Sequence, residues 1–169
     1  MSVATQGSPG ERALAAAAAR LDDRRLELAF GNPLALAGIF KEMARAFVPR
    51  VANGFVGEIQ YDLQRGSGRT SSWTVRVAGP RASARRGRAD QPALTVSIAL
   101  ADFLRMAAGQ IQEIDLLKSG RLDAKGDGLI AARLGPMFGR PAAADLYVAP
   151  RTVDPPTAQV NEPMEATAR

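Results

Sequence analysis

Residues 93–139 read ALTVSIALADFLRMAAGQIQEIDLLKSGRLDAKGDGLIAARLGPMFG, and the order of patterns in them decides the fold. Leu94, Val96 and Ile98 alternate with Thr95 and Ser97, the period-two signature of a strand with one buried face. Phe103, Met106 and Ala107 then recur at helical spacing before Gly109, a residue suited to the left-handed turn that closes a helix. Ile111, Ile114 and Leu117 mark a second, short helix ended by Gly120, and residues 121–126 alternate again as a last strand. Leu129, Ile130, Arg133, Leu134, Met137 and Phe138 fall in pairs spaced for one broad helical face, which Pro136 is expected to kink or shorten.

Upstream, an alanine-rich, charge-flanked segment from Glu11 to Phe30 has good helix propensity. Asn32-Pro33 supplies an N-cap and a first-turn proline for a helix whose apolar face is Leu36, Ile39, Phe40, Met43 and Phe47, with Pro49 as its stop. Val56 to Leu63 alternates as a strand, Gly66-Ser67-Gly68 turns the chain, and Trp73, Val75 and Val77 alternate in the next strand. Gly79-Pro80 leads into a poorer, arginine-rich strand around Ala82 to Arg86, ended by Gly87. Four consecutive strands between runs of helices predict an α+β fold, a five-stranded and mostly antiparallel sheet covered on one face by helices, with the fifth strand returning across the sheet. Residues 1–30 read as a tail and helix, 31–148 as the folded domain, and 149–169, with their four prolines, as a disordered tail.

Composition narrows function mainly by what it removes. The 169 residues contain neither cysteine nor histidine. Disulfides, thiolate nucleophiles, the usual catalytic triads and nearly all zinc or haem arrangements are thereby excluded. No catalytic residue, metal ligand or cofactor is expected. The alanine run 13–19 is too weakly hydrophobic for a secretion signal, and no stretch reaches the ~20 apolar residues that cross a bilayer, so a cytoplasmic location is expected. The net charge is +5, and Arg81, Arg85, Arg86 and Arg88, offset by Asp90, concentrate much of it.

Several linked features resemble the sterol carrier protein 2 sterol-transfer family, from about Phe47 to Gly139. They are Gly57-Glu58-Ile59-Gln60-Tyr61 leading to a strand with Trp73, Ala101-Asp102-Phe103-Leu104 through Gly109, Gly120-Arg121-Leu122, Gly126-Asp127, and the terminal Met137-Phe138. The resemblance implies an apolar tunnel between helices and sheet for a sterol, fatty-acyl chain or related lipid. One departure is notable: where the family often opens its short helix with asparagine-proline and then glutamine, this chain has Gln112-Glu113 and then Ile114.

The residues expected to line such a tunnel are Phe103, Met106, Ile114, Leu116, Leu117, Leu129, Ile130, Leu134, Met137 and Phe138. Each taken singly is more simply a core residue, because apolar helix faces usually pack on their own sheet. Trp73 reads as core, against the alternatives of lining the tunnel or anchoring a membrane contact, because a tryptophan in an alternating strand is usually buried. Arg85, Arg86 and Arg88 are the candidates for an anionic head group, against the alternative of a solvated edge strand. The pairs Glu113 with Asp115 and Asp123 with Asp127 lack a third oxygen ligand, and Lys118-Ser119 lacks a partner base. The expected function is non-catalytic binding and transfer of a hydrophobic ligand. Its partners would be a lipid or sterol-like molecule, a transient membrane surface, and a lipid-modifying enzyme or a second copy of the chain. The competing readings are an accessory module presenting lipid to a separate enzyme, and a weak nucleic-acid binder through the arginine-rich hairpin; no specific nucleic acid is expected, since no aromatics interleave the arginines.

Overall fold

A computed structural model describes residues 9–139. The expected tail at 149–169 and most of the N-terminal one lie outside the described residues. The elements in order are α1 (Pro9–Arg20), α2 (Asp23–Phe30), α3 (Pro33–Arg45), α4 (Pro49–Ala52), β1 (Gly57–Gln64), β2 (Thr70–Ala78), β3 (Arg81–Arg86), β4 (Leu94–Ala99), α5 (Leu100–Ala107), α6 (Glu113–Lys118), β5 (Leu122–Gly126) and α7 (Gly128–Met137).

The strands form one sheet in the order β3-β2-β1-β4-β5. β1 runs parallel to β4, and the other neighbours are antiparallel. The fifth strand does not return across the sheet as expected; it pairs with β4 at the edge. The crossing is made earlier, by residues 87–93, which carry the chain from β3 past β2 and β1. They run over the polar face: the Thr74 hydroxyl donates to the Gly87 carbonyl (2.8 Å), the Ala89 amide donates to Gln60 Oε1 (3.0 Å) and the Ala93 amide to the Glu58 carbonyl (2.8 Å). That cover explains why Gln60 and Thr74 are buried although they face away from the apolar core. Each polar group so enclosed has found a partner, as burial requires.

Period-two alternation puts Ile59, Tyr61, Leu63, Trp73, Val75, Val77, Leu94, Val96, Ile98 and Leu122 on the opposite face, all buried beneath the helices. α3 lies against β3, whose Ala82 and Ala84, in register with Val77 and Val75, are small enough to admit it. Phe40 of α3 is fully buried, stacked on Trp73 with centroids 4.9 Å apart and on Phe103 of α5 at 5.0 Å, with its edge against Tyr61 at 5.5 Å. This aromatic cluster fills the middle of the core.

The alanine-rich segment is two helices rather than one. Asp22 accepts from the Arg25 amide at 2.8 Å as an N-cap, so a carboxylate near the middle of the segment restarts the helix despite good propensity on either side. Both helices dock. Leu14, Ala18 and Leu26 belong to the same core as the sheet, Arg105 pairs with Asp23 at 2.6 Å, and the Gly66 amide donates to the Glu27 carboxylate. Asn32 caps α3 as expected, accepting from the Ala35 amide at 2.9 Å. Pro49, expected to stop α3, instead opens the single turn α4.

Two local features hold the closing segment. Gly126 sits at φ +126°, and a Cβ there would lie 2.3 Å from the Ala93 carbonyl oxygen, so only glycine permits β5 to end against the crossover. Asp102, buried in the first turn of α5, accepts two hydrogen bonds from the Arg121 guanidinium, one of them from Nε at 3.1 Å. Arg121 is half exposed, so its loss lets some water reach the stranded carboxylate. Arg121→Ala is expected to cost about 2 kcal/mol in urea unfolding, and Arg121→Lys about half of that, because lysine keeps the charge but not the fork. A loss below about 0.5 kcal/mol would show the pair to be dispensable.

Candidate functional site

Beside the aromatic cluster the packing is not solid. One hollow of about 470 Å³ lies between the end of α5, α6, β5 and α7. Its walls are Met106, Ile111, Ile114, Leu117, Leu122, Ala124 and Leu134, together with Gly128, Ala131, Ala132, Gly135 and Pro136 of α7. A second, of about 540 Å³, lies between α1, α3, α5 and the end of α7, with Leu14, Phe30, Leu34, Ile39, Met43, Phe103 and Phe138 among its walls and Glu11 and Glu42 as its acidic groups.

The candidate tunnel residues divide between these places. Met106, Ile114, Leu117 and Leu134 come together around the first hollow. Phe103 and Phe138 line the second, with Phe103 also stacked in the aromatic cluster. Leu116, Ile130 and Met137 are buried but line neither, and Leu129 is 69% exposed. Trp73 is buried against Phe40, and its indole Nε1 has no partner among the described residues.

Residues that the sequence reading passed over complete the first hollow. Gly128, Ala131, Ala132 and Gly135 stand at i, i+3, i+4 and i+7, one stripe along α7. Attention to large apolar residues selects the neighbouring stripe of Ile130, Leu134 and Met137, which is buried in the core and of which Leu134 alone also reaches the hollow. The small stripe matters because it does not fill space, and helical periodicity of Gly and Ala was the signal for it.

The arginines lie elsewhere. Arg85 approaches Glu58 (3.6 Å) and Arg88 approaches Asp62 (3.5 Å), both on the polar face of the sheet. Arg86 is in register with Trp73 and is exposed on the outer strand β3, while the first hollow lies by β5 at the other edge. The structure brings none of the three to either hollow. Among the described residues, the polar side chains lining the first hollow are Gln112, exposed, and Glu113, half-buried.

Other polar groups have structural partners. Asp127 caps α7, accepting from the amides of Leu129 (2.9 Å) and Ile130 (3.2 Å), and Asp123 pairs with Lys125 at 3.3 Å. The Ser119 hydroxyl donates to the Asp115 carbonyl at 2.8 Å. Among the described residues no group of three or more acidic side chains could hold a metal ion, and no helix is long and apolar enough to cross a membrane.

The family model for SCP-2 sterol transfer matches residues 49–139. Among solved structures, the sterol carrier protein domain 2 of Helicoverpa armigera superposes with a TM-score of 0.50 at 14% identity, over 61% of this chain and 82% of that one. Palmitated SCP2L2 of Aedes aegypti shares 26% identity at a TM-score of 0.43, covering 55% of this chain and 87% of its own. The apo form of sterol carrier protein 2 from Yarrowia lipolytica shares 18% identity at a TM-score of 0.44, covering 66% and 88%. No curated protein matches the chain significantly.

Proposed function

The chain belongs to the SCP-2 sterol transfer family, and on that ground we propose that it binds a single hydrophobic ligand in the hollow between α6, β5 and α7 and carries it without chemical change. The observation that carries this reading is the hollow itself: about 470 Å³, walled among the described residues by apolar side chains and backbone, with one amide and one carboxylate as the polar side chains. Its size falls within the range of small-molecule sites and gives room for one hydrocarbon chain of roughly 16 carbons. Burying each methylene is worth about 0.8 kcal/mol, so such a chain brings on the order of 10 kcal/mol against the costs of association and ordering. Micromolar binding follows without any catalytic group.

Met106, Ile114, Leu117 and Leu134 are the walls assigned to the ligand, with Met106 adaptable in shape. Transfer also needs an exit. Leu117 and Leu129, 48% and 69% exposed on the two helices flanking the hollow, provide an oily rim for contact with a membrane surface.

Solvent extraction of the purified protein followed by untargeted lipid mass spectrometry is expected to recover one dominant class of lipid. Delipidated protein is expected to take up the neutral dye Nile red with micromolar affinity and to release it to hexadecan-1-ol. Protein that carries no lipid and ignores the dye would overturn the reading.

A further inference from the structure

We propose that β5 is an edge for self-recognition: a second copy of the chain pairs with it antiparallel about Ala124, so that two five-stranded sheets continue as one. The inference concerns a surface outside the hollow and holds whatever ligand the hollow takes.

β5 stands last in the sheet and is hydrogen-bonded to β4 on one side. Among the described residues no second strand meets its other side. Such an edge offers a row of amide donors and carbonyl acceptors, and proteins guard it with charge or cover unless a partner is meant to take it. The two edges of this sheet differ in their charges. β3, at the opposite edge, carries Arg81, Arg85 and Arg86, and a second copy of it would bring arginines toward arginines with no acid in the strand to answer them.

Along β5 and its flanks, Arg121, Asp123, Lys125 and Asp127 alternate in sign at every second position. Asp123 and Lys125 are in register with Ser97 and Thr95 on the polar face of the sheet, while Leu122 and Ala124 face the hollow. Reversed about Ala124, the charge series is its own complement. A twofold-related copy therefore sets Asp123 opposite the partner's Lys125, and Lys125 opposite the partner's Asp123, in an isologous contact. Moving the twofold by one residue places Asp123 on itself or Lys125 on itself, and a parallel in-register pair stacks every charge on its like. The signs thus specify one direction and one register. Within one copy Lys125 reaches Asp123 at 3.3 Å along the strand, with the two side chains 80% and 56% exposed, and pairing exchanges that contact for two directly opposed ones. Arg121 and Asp127 keep their bonds to Asp102 and to the amides of Leu129 and Ile130, and add attraction at the two ends of the contact. The pairing is made by backbone and by the polar face, so Leu117 and Leu129 are not needed for it.

Sedimentation velocity of the full chain, from about 10 µM to about 1 mM at low salt, is the test. Edges this short bury less than a standard interface, so the unmodified protein is expected to pass from monomer to dimer with a Kd on the order of 100 µM. Raising the salt to about 0.5 M is expected to weaken it several-fold. Asp123→Lys and Lys125→Asp each turn two attractive cross-strand pairs into two repulsive ones, and each is expected to raise the Kd at least about thirtyfold, leaving monomer. Both positions are exposed, and an unchanged thermal midpoint checks that each variant folds. The deciding sample is an equimolar mixture of the two variants, in which every reversed charge again meets its opposite. It is expected to dimerise with a Kd within about threefold of the original, a rescue that misfolded chains could not give. Monomer alone at about 1 mM, a dimer that both substitutions leave unchanged, or a mixture that stays monomeric would overturn the proposal, and none of these outcomes bears on lipid binding in the hollow.

Discussion

Replacing Phe40 with alanine is expected to lower the unfolding free energy by about 4–5 kcal/mol, at the upper end of what burying a phenylalanine contributes. The ring is fully buried and is the hub of the aromatic cluster, stacked on Trp73 and Phe103 and edge-on to Tyr61. Truncation therefore loses the transfer energy of the ring, opens a cavity among side chains that cannot easily collapse, and removes ring pairs worth about 0.5–1.5 kcal/mol each beyond their area. Phe40→Leu, which keeps most of the volume, is expected to cost about 1–1.5 kcal/mol. Urea-induced unfolding with an unchanged slope is the measurement. A loss below about 2 kcal/mol for the alanine variant would show that α3 is an accessory to the core and not part of it.

The result reaches beyond one residue. The match to the family covers residues 49–139, and Phe40 lies before it, on a helix that shields Tyr61 and Trp73. A domain's total stability is about 5–15 kcal/mol, so a loss of this size means that the segment 49–139 depends on α3 for a closed core. α1 and α2 extend the same dependence through Leu14, Ala18 and Leu26.

The fold was legible wherever one local pattern was sufficient. Alternation in 57–63, 73–77 and 94–98, the Asn32-Pro33 cap and the Gly109 and Gly120 stops each concern neighbours in sequence, and the structure places strands, a capped helix and helix ends there. What escaped depends on pairing between distant segments. Whether Arg85 or Arg86 faces the helices is settled by the register of β3 with β2, which sets Arg86 beside Trp73 and Arg85 beside Thr74. Alternation alone leaves the two faces equivalent. The crossover at 87–93 escaped because its backbone is held by Gln60 and Thr74, residues that look solvent-facing until a loop lies on them. The hollow was harder still. Large apolar residues announce a core, but a space is announced by their absence, and the Gly128, Ala131, Ala132 and Gly135 stripe carries that message only once α6 and β5 are seen opposite it.

That stripe gives the sharpest test of where a ligand sits. Ala131→Phe is expected to weaken binding of Nile red and of hexadecan-1-ol by roughly a hundredfold, because Ala131 is half-buried on the wall and a benzyl ring there takes space that three or four methylenes of the ligand would occupy, each worth about 0.8 kcal/mol. Stability should move by less than about 1 kcal/mol, since the ring enters a void rather than a packed core and the exchange costs a helix only a few tenths of a kcal/mol. Binding lost with the unfolding midpoint retained is thus the expected pair of readings. Ala35→Phe is the counterpart, placing a ring in the other hollow beneath α1 and α3. It is expected to leave affinity within about twofold. Should Ala35→Phe abolish binding and Ala131→Phe spare it, the ligand lies against Leu14, Ile39 and Phe138, and the assignment to α6, β5 and α7 is wrong.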